Sequence, residues 1–108
     1  MTSLAELAAR AATQGASRLD DPAMRDALAA LPGWQLAGDA LEKTFRFTGY
    51  PDTIQFVNAV AWIAQRLDHH PDLDVGYNRC RVVWTTHDAQ GVTINDCIAA
   101  ARTEQLFA

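Results

Sequence analysis

The longest periodic segment of the chain runs from Gly49 to about Leu67. Its apolar residues recur three or four positions apart, which is the spacing of one face of an α-helix. This apolar surface is wider than one face of a small sheet requires. The surplus, together with Trp62, indicates either a contact between subunits or a central helix that is buried on most sides. One stripe contains Ile54, Val57, Ala61, Ala64 and Leu67, and it is widened by Phe56, Val60 and Ile63.

Two regions with a period of two flank this helix and predict β-strands. Before it, residues 34–37 and 40–48 stand on either side of Gly38-Asp39, a pair suited to a tight hairpin turn. After it, a short extended segment leads to a strand from Arg79 to His87. Each long strand has one apolar face, although Lys43 interrupts the first, so the sheet is predicted to be covered on one side only.

Two further helices are marked by their ends. One begins with Asp21 as the predicted N-cap and Pro22 in the first turn, and it ends at Pro32-Gly33. The other begins after Thr93 and ends near Leu106. The order helix, strands, helix, strands, helix predicts an α+β domain in which helices pack on one face of an antiparallel sheet.

The first 18 residues are rich in alanine and carry a short apolar run at helical spacing, which Gly15 interrupts. This pattern is compatible with a loose helix and with a disordered arm. We therefore divide the chain into an N-terminal arm, residues 1–18, and one domain, residues 19–108.

Bulk composition narrows the functional classes. A chain of 108 residues with 49% apolar and 20% charged residues is expected to form one globular domain. The net charge of −4 argues against nucleic acid as a partner, and no apolar run approaches the ~20 residues of a membrane span. The N-terminus lacks the pattern of a secretory signal, so a cytoplasmic location is expected, with Cys80 and Cys97 as free thiols in the core.

All three histidines lie in one short window. His69 and His70 are adjacent and precede Pro71, which is predicted to stop the long helix. His87 follows 17 residues after His70, at the end of the predicted strand. Because histidine serves as acid and as base near neutral pH, this concentration at the ends of two elements predicts a functional site.

Structural roles are also open for these residues. His69 or His70 can neutralise the negative end of the helix dipole, and His87 can be a surface residue of the strand. Asp96 occupies the third position of the last helix, as in a capping box, so capping and chemistry are both open for its carboxylate. Gln65, one turn before His69, can orient that imidazole by a hydrogen bond or be a solvated polar residue.

A metal site is the weaker hypothesis. Three histidines and a carboxylate match zinc in donor type, but the spacing lacks the His-x-x-x-His and Cys-x-x-Cys pairs that place two ligands on one face. No serine lies near the histidines, Cys80 is predicted to face the core, and no Gly-rich phosphate loop is present. The remaining hypothesis is general acid–base catalysis, without a metal, on a small uncharged or zwitterionic substrate.

Several short motifs form one pattern over about residues 20 to 106: Leu67-Asp68-His69-His70-Pro71, Tyr77-Asn78, Thr86-His87-Asp88, Gly91-Val92-Thr93 and Asp96, with Gly33-Trp34 and Phe45-Arg46-Phe47 upstream. This pattern closely resembles the pterin-4a-carbinolamine dehydratases. The resemblance implies an α+β fold with a four-stranded antiparallel sheet and three α-helices on one face, assembled as a homodimer or homotetramer. It also implies a hydro-lyase that converts 4a-hydroxytetrahydropterin to quinonoid dihydropterin in tetrahydrobiopterin recycling, without a metal or an organic cofactor.

The resemblance further implies roles for individual residues. His69, His70 and His87 take the positions of the family's active-site histidines. Our hypothesis is that His69 and His87 act as acid and base, whereas His70 positions the pterin. The resemblance also implies a set of substrate-binding or supporting residues, which are Asp96, Gln65, Asp68, Pro71, Thr86 and Asp88.

Two departures from the family pattern concern the site: the first bears on the catalytic rate or the substrate and argues for an alternative function, and the second bears on the wall of the pocket. Glutamate is common in the family at the position of Gln65, and an aromatic residue is common where this chain has Asp72-Leu73-Asp74. The alternative is a non-catalytic scaffold, since animal members of the family double as dimerisation cofactors and some bacterial relatives assist Rubisco assembly. Retention of all three histidines favours the enzyme, because a pure scaffold does not need them.

Overall fold

The structure, a computed structural model, describes residues 2–107 and contains four α-helices and four strands there. Short 3-10 turns at His87–Ala89 and Gln105–Phe107 complete the elements. In chain order the elements are α1 (Leu4–Ala9), α2 (Asp21–Ala30), β1 (Gln35–Ala37), β2 (Ala40–Arg46), α3 (Tyr50–Leu67), β3 (Asp72–Val75), β4 (Arg79–Trp84) and α4 (Ile94–Glu104).

The strands form one antiparallel sheet in the order β1-β2-β4-β3. Side chains at alternate positions of β2 and β4 are buried on one face, whereas Glu42 and Arg81 pair on the other face. The predicted α+β fold is therefore confirmed, and the sheet is covered on one side. The buried face consists of Leu41, Phe45, Cys80, Val82 and Trp84.

Lys43 lies on the buried face of β2 because its ammonium group finds polar partners there. It forms an ion pair with Glu104 at the end of α4 and donates a hydrogen bond to the Pro32 carbonyl oxygen at 2.7 Å. The indole Nε1–H of Trp34 donates to the same Glu104 carboxylate at 2.8 Å. Lys43, the polar interruption in the strand pattern, thus links the C-terminal end of α4 to the sheet.

Helix α3 has nearly the predicted bounds, but it is rotated relative to the predicted stripe. Its buried residues are centred on Phe56 and Val60, whereas Ala61 is exposed. Thr53 is fully buried because its hydroxyl lies within hydrogen-bond distance of two carbonyl oxygens, those of Gly49 and Tyr77. Trp62 remains 67% exposed, so a single chain leaves the outer surface of α3 uncovered.

The ends of the helices differ from prediction in two places. Asp20, not Asp21, caps α2, and its side chain accepts a hydrogen bond from the Ala23 N–H at 2.9 Å. Helix α3 ends before Pro71, because Asp68 adopts the left-handed conformation with φ of 50° and its N–H bonds back into the last turn. That conformation, rather than the proline, turns the chain at the histidines.

The N-terminal residues add a helix to the three that the family resemblance implied. Helix α1 is capped by Ser3, and it packs against α4 with Leu7 and Ala8 buried in the core. The division of the chain at residue 18 stays a prediction. Cys80 and Cys97 are free and buried, as predicted. Within residues 2–107, no helix is both long and apolar enough to cross a membrane.

Candidate active site

His69 is placed by the end of α3. After the left-handed turn at Asp68, the His69 N–H donates to the Ala64 carbonyl oxygen at 3.1 Å. The imidazole then stacks on Trp84, with 5.7 Å between ring centroids and 20° between ring planes. Its Nε2 atom lies 2.5 Å from Oδ1 of Asp96. The ring is thus held at one edge and one face, and 17% of the side chain stays exposed.

Asp96 is fully buried in the first turn of α4, where it completes a capping box. Its Oδ2 accepts hydrogen bonds from the Thr93 N–H at 2.9 Å and from the Thr86 hydroxyl at 2.8 Å. Its Oδ1 contacts His69. Capping of α4 therefore does not exclude a role of this carboxylate in the site, because Oδ2 makes the capping contact and Oδ1 contacts His69.

The hydrogen-bond directions around Asp96 follow from its carboxylate, which only accepts when ionised. Thr86 donates its single hydroxyl proton to Asp96, so Thr93 donates to the Thr86 oxygen at 2.9 Å. By the same reasoning, the Nε2 of His69 carries a proton toward Asp96. The other ring nitrogen, Nδ1, is then the atom of His69 that can exchange a proton with a bound molecule.

A cavity of about 380 Å³ lies beside His69. This volume falls within the range of small-molecule sites. Its walls come from three parts of the chain: the end of α3, the start of α4 and the segment after α1. The lining residues are Ala12, Thr13, Gln14, Gly15, Leu67, Asp68, His69 and Asn95.

His87 lies in a different place from the one predicted. Strand β4 ends at Trp84, and His87 instead begins the 3-10 turn, where it is exposed. It lines a second cavity, of about 440 Å³, together with Thr85 and Arg18. The hydroxyl of Thr86, between those residues, points to Asp96. The segment 85–87 therefore lines the second cavity through Thr85 and His87, and Thr86 contacts Asp96, the partner of His69.

The other predicted site residues lie at the same end of the sheet. Asp72, the first residue of β3, pairs with Val83 near the end of β4. The chain just before β3 therefore lies at the end of the sheet that also carries residues 85–87. This part of the chain contains the exposed His70 and the half-buried Pro71. Asp88 is exposed in the 3-10 turn.

Of the two roles that the sequence left open for Gln65, its exposed position matches that of a solvated polar residue. The backbone carbonyl oxygen of Gln65 accepts a hydrogen bond from the Asp68 N–H at 3.3 Å. In the described chain, the side-chain partner of His69 is Asp96. Two contributors to the site went unpredicted: Asn95, and the wall formed by residues 12–15. The alanine-rich spacing left a loose helix and a disordered arm open for this segment, and it gave no signal for a contact with the site.

Other possible sites carry less chemistry. Within residues 2–107, no three histidine, cysteine or carboxylate side chains come together in a group that could hold a metal ion. A larger cavity, of about 580 Å³, lies between the end of β2, α3 and the C-terminal turn, with Phe47, Phe56 and Phe107 among its lining residues. None of the histidines lines it.

Comparison with known sequences decides the family. The profile described as pterin 4 alpha carbinolamine dehydratase matches residues 17–106. The chain belongs to this family. A relative from Chromobacterium violaceum, provisionally named a pterin-4-alpha-carbinolamine dehydratase, is 53% identical over 93 residues, which are 86% of each chain. A relative from Xanthomonas euvesicatoria pv. vesicatoria with the same provisional name is 51% identical over 92 residues, which are 83% of this chain and 78% of that protein.

Solved structures show the same fold as this dehydratase-family chain. The crystal structure of a transcriptional coactivator/pterin dehydratase from Brucella melitensis superposes with a TM-score of 0.81 at 34% identity, over 85% of this chain and all of that chain. A pterin dehydratase-like RuBisCO assembly factor of the alpha-carboxysome superposes with a TM-score of 0.57 at 23% identity, over 68% of this chain and 84% of that chain. The second similarity indicates a common fold alone.

Proposed function

We propose that the protein is a hydro-lyase that dehydrates 4a-hydroxytetrahydropterin to quinonoid dihydropterin, in tetrahydrobiopterin recycling. Membership of the family supports the reaction class. The observation that carries the proposal is the pairing of His69 with the buried carboxylate of Asp96 at 2.5 Å, beside a cavity of about 380 Å³. A histidine oriented by a buried carboxylate is a common arrangement of proton-transfer catalysts.

The reaction needs an acid and a base. The C4a–O bond breaks as the hydroxyl oxygen takes a proton and leaves as water. The lone pair of the adjacent ring nitrogen forms a carbon–nitrogen double bond, and a ring nitrogen loses its proton. Electrons are neither gained nor lost overall, so no redox cofactor is required, and we propose that neither a metal nor an organic cofactor takes part.

His69 exchanges its proton through Nδ1 in this mechanism, because Nε2 is engaged by Asp96. His87 is the proposed second acid or base, and His70 positions the pterin. Since His87 lines the neighbouring cavity, its part requires a substrate that reaches from one cavity to the other. The mechanism therefore rests first on His69.

The remaining residues have supporting roles in the proposal. Asp96 orients His69, and Thr86 in turn holds Asp96. Asp68 lines the cavity beside His69. Pro71 and Asp88 shape the chain next to the histidines, and Gln65 lies one turn before His69 on α3.

Assembly and location are also part of the proposal. Tyr50 and Trp62 of α3 are 52% and 67% exposed, which is unusual for large aromatic side chains and supports a homodimer or homotetramer. The net charge of −4 does not favour nucleic acid as a partner. The buried free thiols support a reducing, cytoplasmic environment.

The test is the decay of 4a-hydroxytetrahydropterin, generated in situ by a hydroxylase, with and without the purified protein and with and without a chelator. We expect acceleration that the chelator does not change. No acceleration would contradict the enzyme and leave the non-catalytic scaffold as the better proposal. Acceleration that disappears with the chelator would contradict the metal-free mechanism.

A further inference from the structure

The segment after α1 forms a wall of the cavity beside His69. Residues 12–15 line this cavity together with Asp68, His69 and Asn95. They precede residue 17, where the match to the family profile begins. The wall is thus supplied by a part of this chain outside the matched region.

Helix α1 and one arginine anchor this segment to α4. Leu7 is 1% exposed and packs in the core, so α1 cannot detach without exposing apolar surface to water. The guanidinium group of Arg102 donates from Nε to the Ala8 carbonyl oxygen at 3.0 Å and from Nη2 to the Arg10 carbonyl oxygen at 2.6 Å. These carbonyls lie at the C-terminal end of α1, where helical partners are missing.

A second anchor is a two-point contact between Thr13 and Asn95. The Thr13 N–H donates to Asn95 Oδ1 at 2.7 Å, and Asn95 Nδ2 donates to the Thr13 carbonyl oxygen at 2.8 Å. Asn95 directly precedes Asp96 in α4, and its own N–H bonds to the Thr93 hydroxyl oxygen at 3.3 Å. One turn of α4 therefore holds both residues 12–15 and the partner of His69.

The contacts of His69 limit which part of its ring a substrate can reach. One ring edge is engaged by Asp96 and one face lies against Trp84. Residues 12–15 line the same cavity that His69 lines. A molecule that binds beside His69 in this cavity therefore also lies next to residues 12–15.

We propose that residues 12–15 are a substrate-binding wall that sets the affinity for the pterin. This inference rests on the proposed function for the identity of the ligand. Releasing the wall weakens substrate binding but leaves the His69–Asp96 pair intact. Asn95→Ala removes both bonds to Thr13, and we expect it to raise KM about tenfold with kcat within about twofold.

The control for a merely structural role is Asp20→Ala. Asp20 caps α2 through the Ala23 N–H, and it lines neither histidine cavity. Its loss destabilises the fold by an amount typical of one lost cap, and KM should stay unchanged. A similar rise of KM in both variants would assign the effect of Asn95→Ala to stability and overturn the proposal.

The deciding experiment does not depend on turnover. Trypsin cleavage after Arg10 is followed by mass spectrometry of the intact chain, with and without saturating biopterin. We expect biopterin to slow this cleavage several-fold in the unmodified protein and to have no effect in Asn95→Ala. Absence of protection in the unmodified protein, or equal protection in Asn95→Ala, would overturn the proposal even if the protein dehydrates the carbinolamine. Protection without dehydration would support the wall and contradict the proposed reaction.

Discussion

The imidazole of His69 meets the carboxylate of Asp96 across 27 residues of sequence, with 2.5 Å between Nε2 and Oδ1. His69 follows the last turn of α3 and Asp96 lies in the first turn of α4, so the contact joins the ends of two packed helices. The same carboxylate caps α4. Helix capping and histidine orientation are therefore coupled, and a change at Asp96 affects both.

His69→Gln is expected to slow the dehydration by about 10²–10⁴-fold, because glutamine can donate to Asp96 but cannot transfer a proton. His69→Ala should lose the same activity and also stability, since it leaves the buried carboxylate with one partner fewer. Steady-state kinetics and urea unfolding of both variants separate the two effects. Unchanged turnover in His69→Gln contradicts its role as acid or base.

His87→Ala provides the corresponding test for the second histidine. We expect a loss of about 10²–10⁴-fold in kcat with little change in stability, because the side chain is exposed. A variant with normal kcat would remove His87 from the proton transfers and leave His69 alone.

Asp96→Asn is expected to lower both activity and stability. The amide retains one accepting oxygen, but its NH₂ group cannot accept from either the His69 ring or the Thr86 hydroxyl. We expect kcat to fall by about 10²-fold or more and the free energy of unfolding to fall by about 1–3 kcal/mol. Wild-type kcat in a folded Asp96→Asn protein would show that the carboxylate only caps α4.

Gln65→Glu introduces the glutamate that the family resemblance leads us to expect at this position. Position 65 is exposed, so solvent weakens the electrostatic effect that a carboxylate there has on the site one turn away. We expect a change in kcat within about fivefold, larger at low than at high ionic strength because salt screens the charge. An increase of 100-fold would indicate instead that Gln65 contacts the substrate directly.

Lys43→Met tests the ion pair that joins β2 to α4. The Lys43 and Glu104 side chains are 21% and 12% exposed, so removal of the ammonium group leaves a largely buried carboxylate with the Trp34 indole as its remaining partner. We expect the free energy of unfolding to fall by about 1–3 kcal/mol in urea titrations.

Arg79→Met is the matched control, because Arg79 pairs with Asp74 at 3.4 Å and the side chains of both partners are well exposed, at 40% and 60%. Its loss should cost less than about 1 kcal/mol. Equal decreases in the free energy of unfolding in the two variants would show that the Lys43–Glu104 pair contributes no more to stability than an exposed ion pair.

The buried thiol of Cys97 lowers the free energy of unfolding at alkaline pH. Burial, and then the nearby charge of Asp96, raises the pKa of the Cys97 thiol from 9.0 to about 12. Between these values the unfolded chain loses the thiol proton and the folded chain keeps it. The unfolded state then binds fewer protons, so the free energy of unfolding falls as pH rises, by about 1.4 kcal/mol per pH unit for this group.

Cys97→Ala should therefore have a shallower decline of unfolding free energy between pH 9 and pH 11 than the unmodified protein. Burial and the charge of Asp74 also raise the pKa of Cys80, against the opposing effect of Arg79, so Cys80→Ala should change the slope in the same direction. Urea unfolding at several pH values measures both slopes. An unchanged slope in Cys97→Ala would contradict the buried, protonated thiol.

Local patterns in the sequence predicted most of the fold. The hairpin around Gly38-Asp39, the bounds of α3 and the capping box at Thr93 all depend on residues close together in the chain, and the structure has each of them. The face of α3 that is buried was predicted less well, because hydrophobicity alone does not show that the Thr53 hydroxyl reaches two carbonyl oxygens and can therefore be buried in the core.

The candidate site was predicted as a set of residues, but its arrangement was not. The histidine window and Asp96 were visible as motifs, whereas the partner of His69 was sought one turn away, at Gln65. The position of His87 depends on where β4 stops pairing, and the alternating pattern through residues 79–87 has no signal for that end.

The sequence by itself determined the α+β class, the central helix, the histidine cluster and the resemblance to the family, because these depend on spacing and residue type. Only the tertiary structure decided that Asp96 holds His69, that Lys43 fastens α4 to the sheet, and that residues 12–15 line the cavity beside His69. Each of these contacts joins residues far apart in the chain. The packing of α1, α3 and α4 brings such residues together, and no local pattern encodes the directions in which their side chains meet.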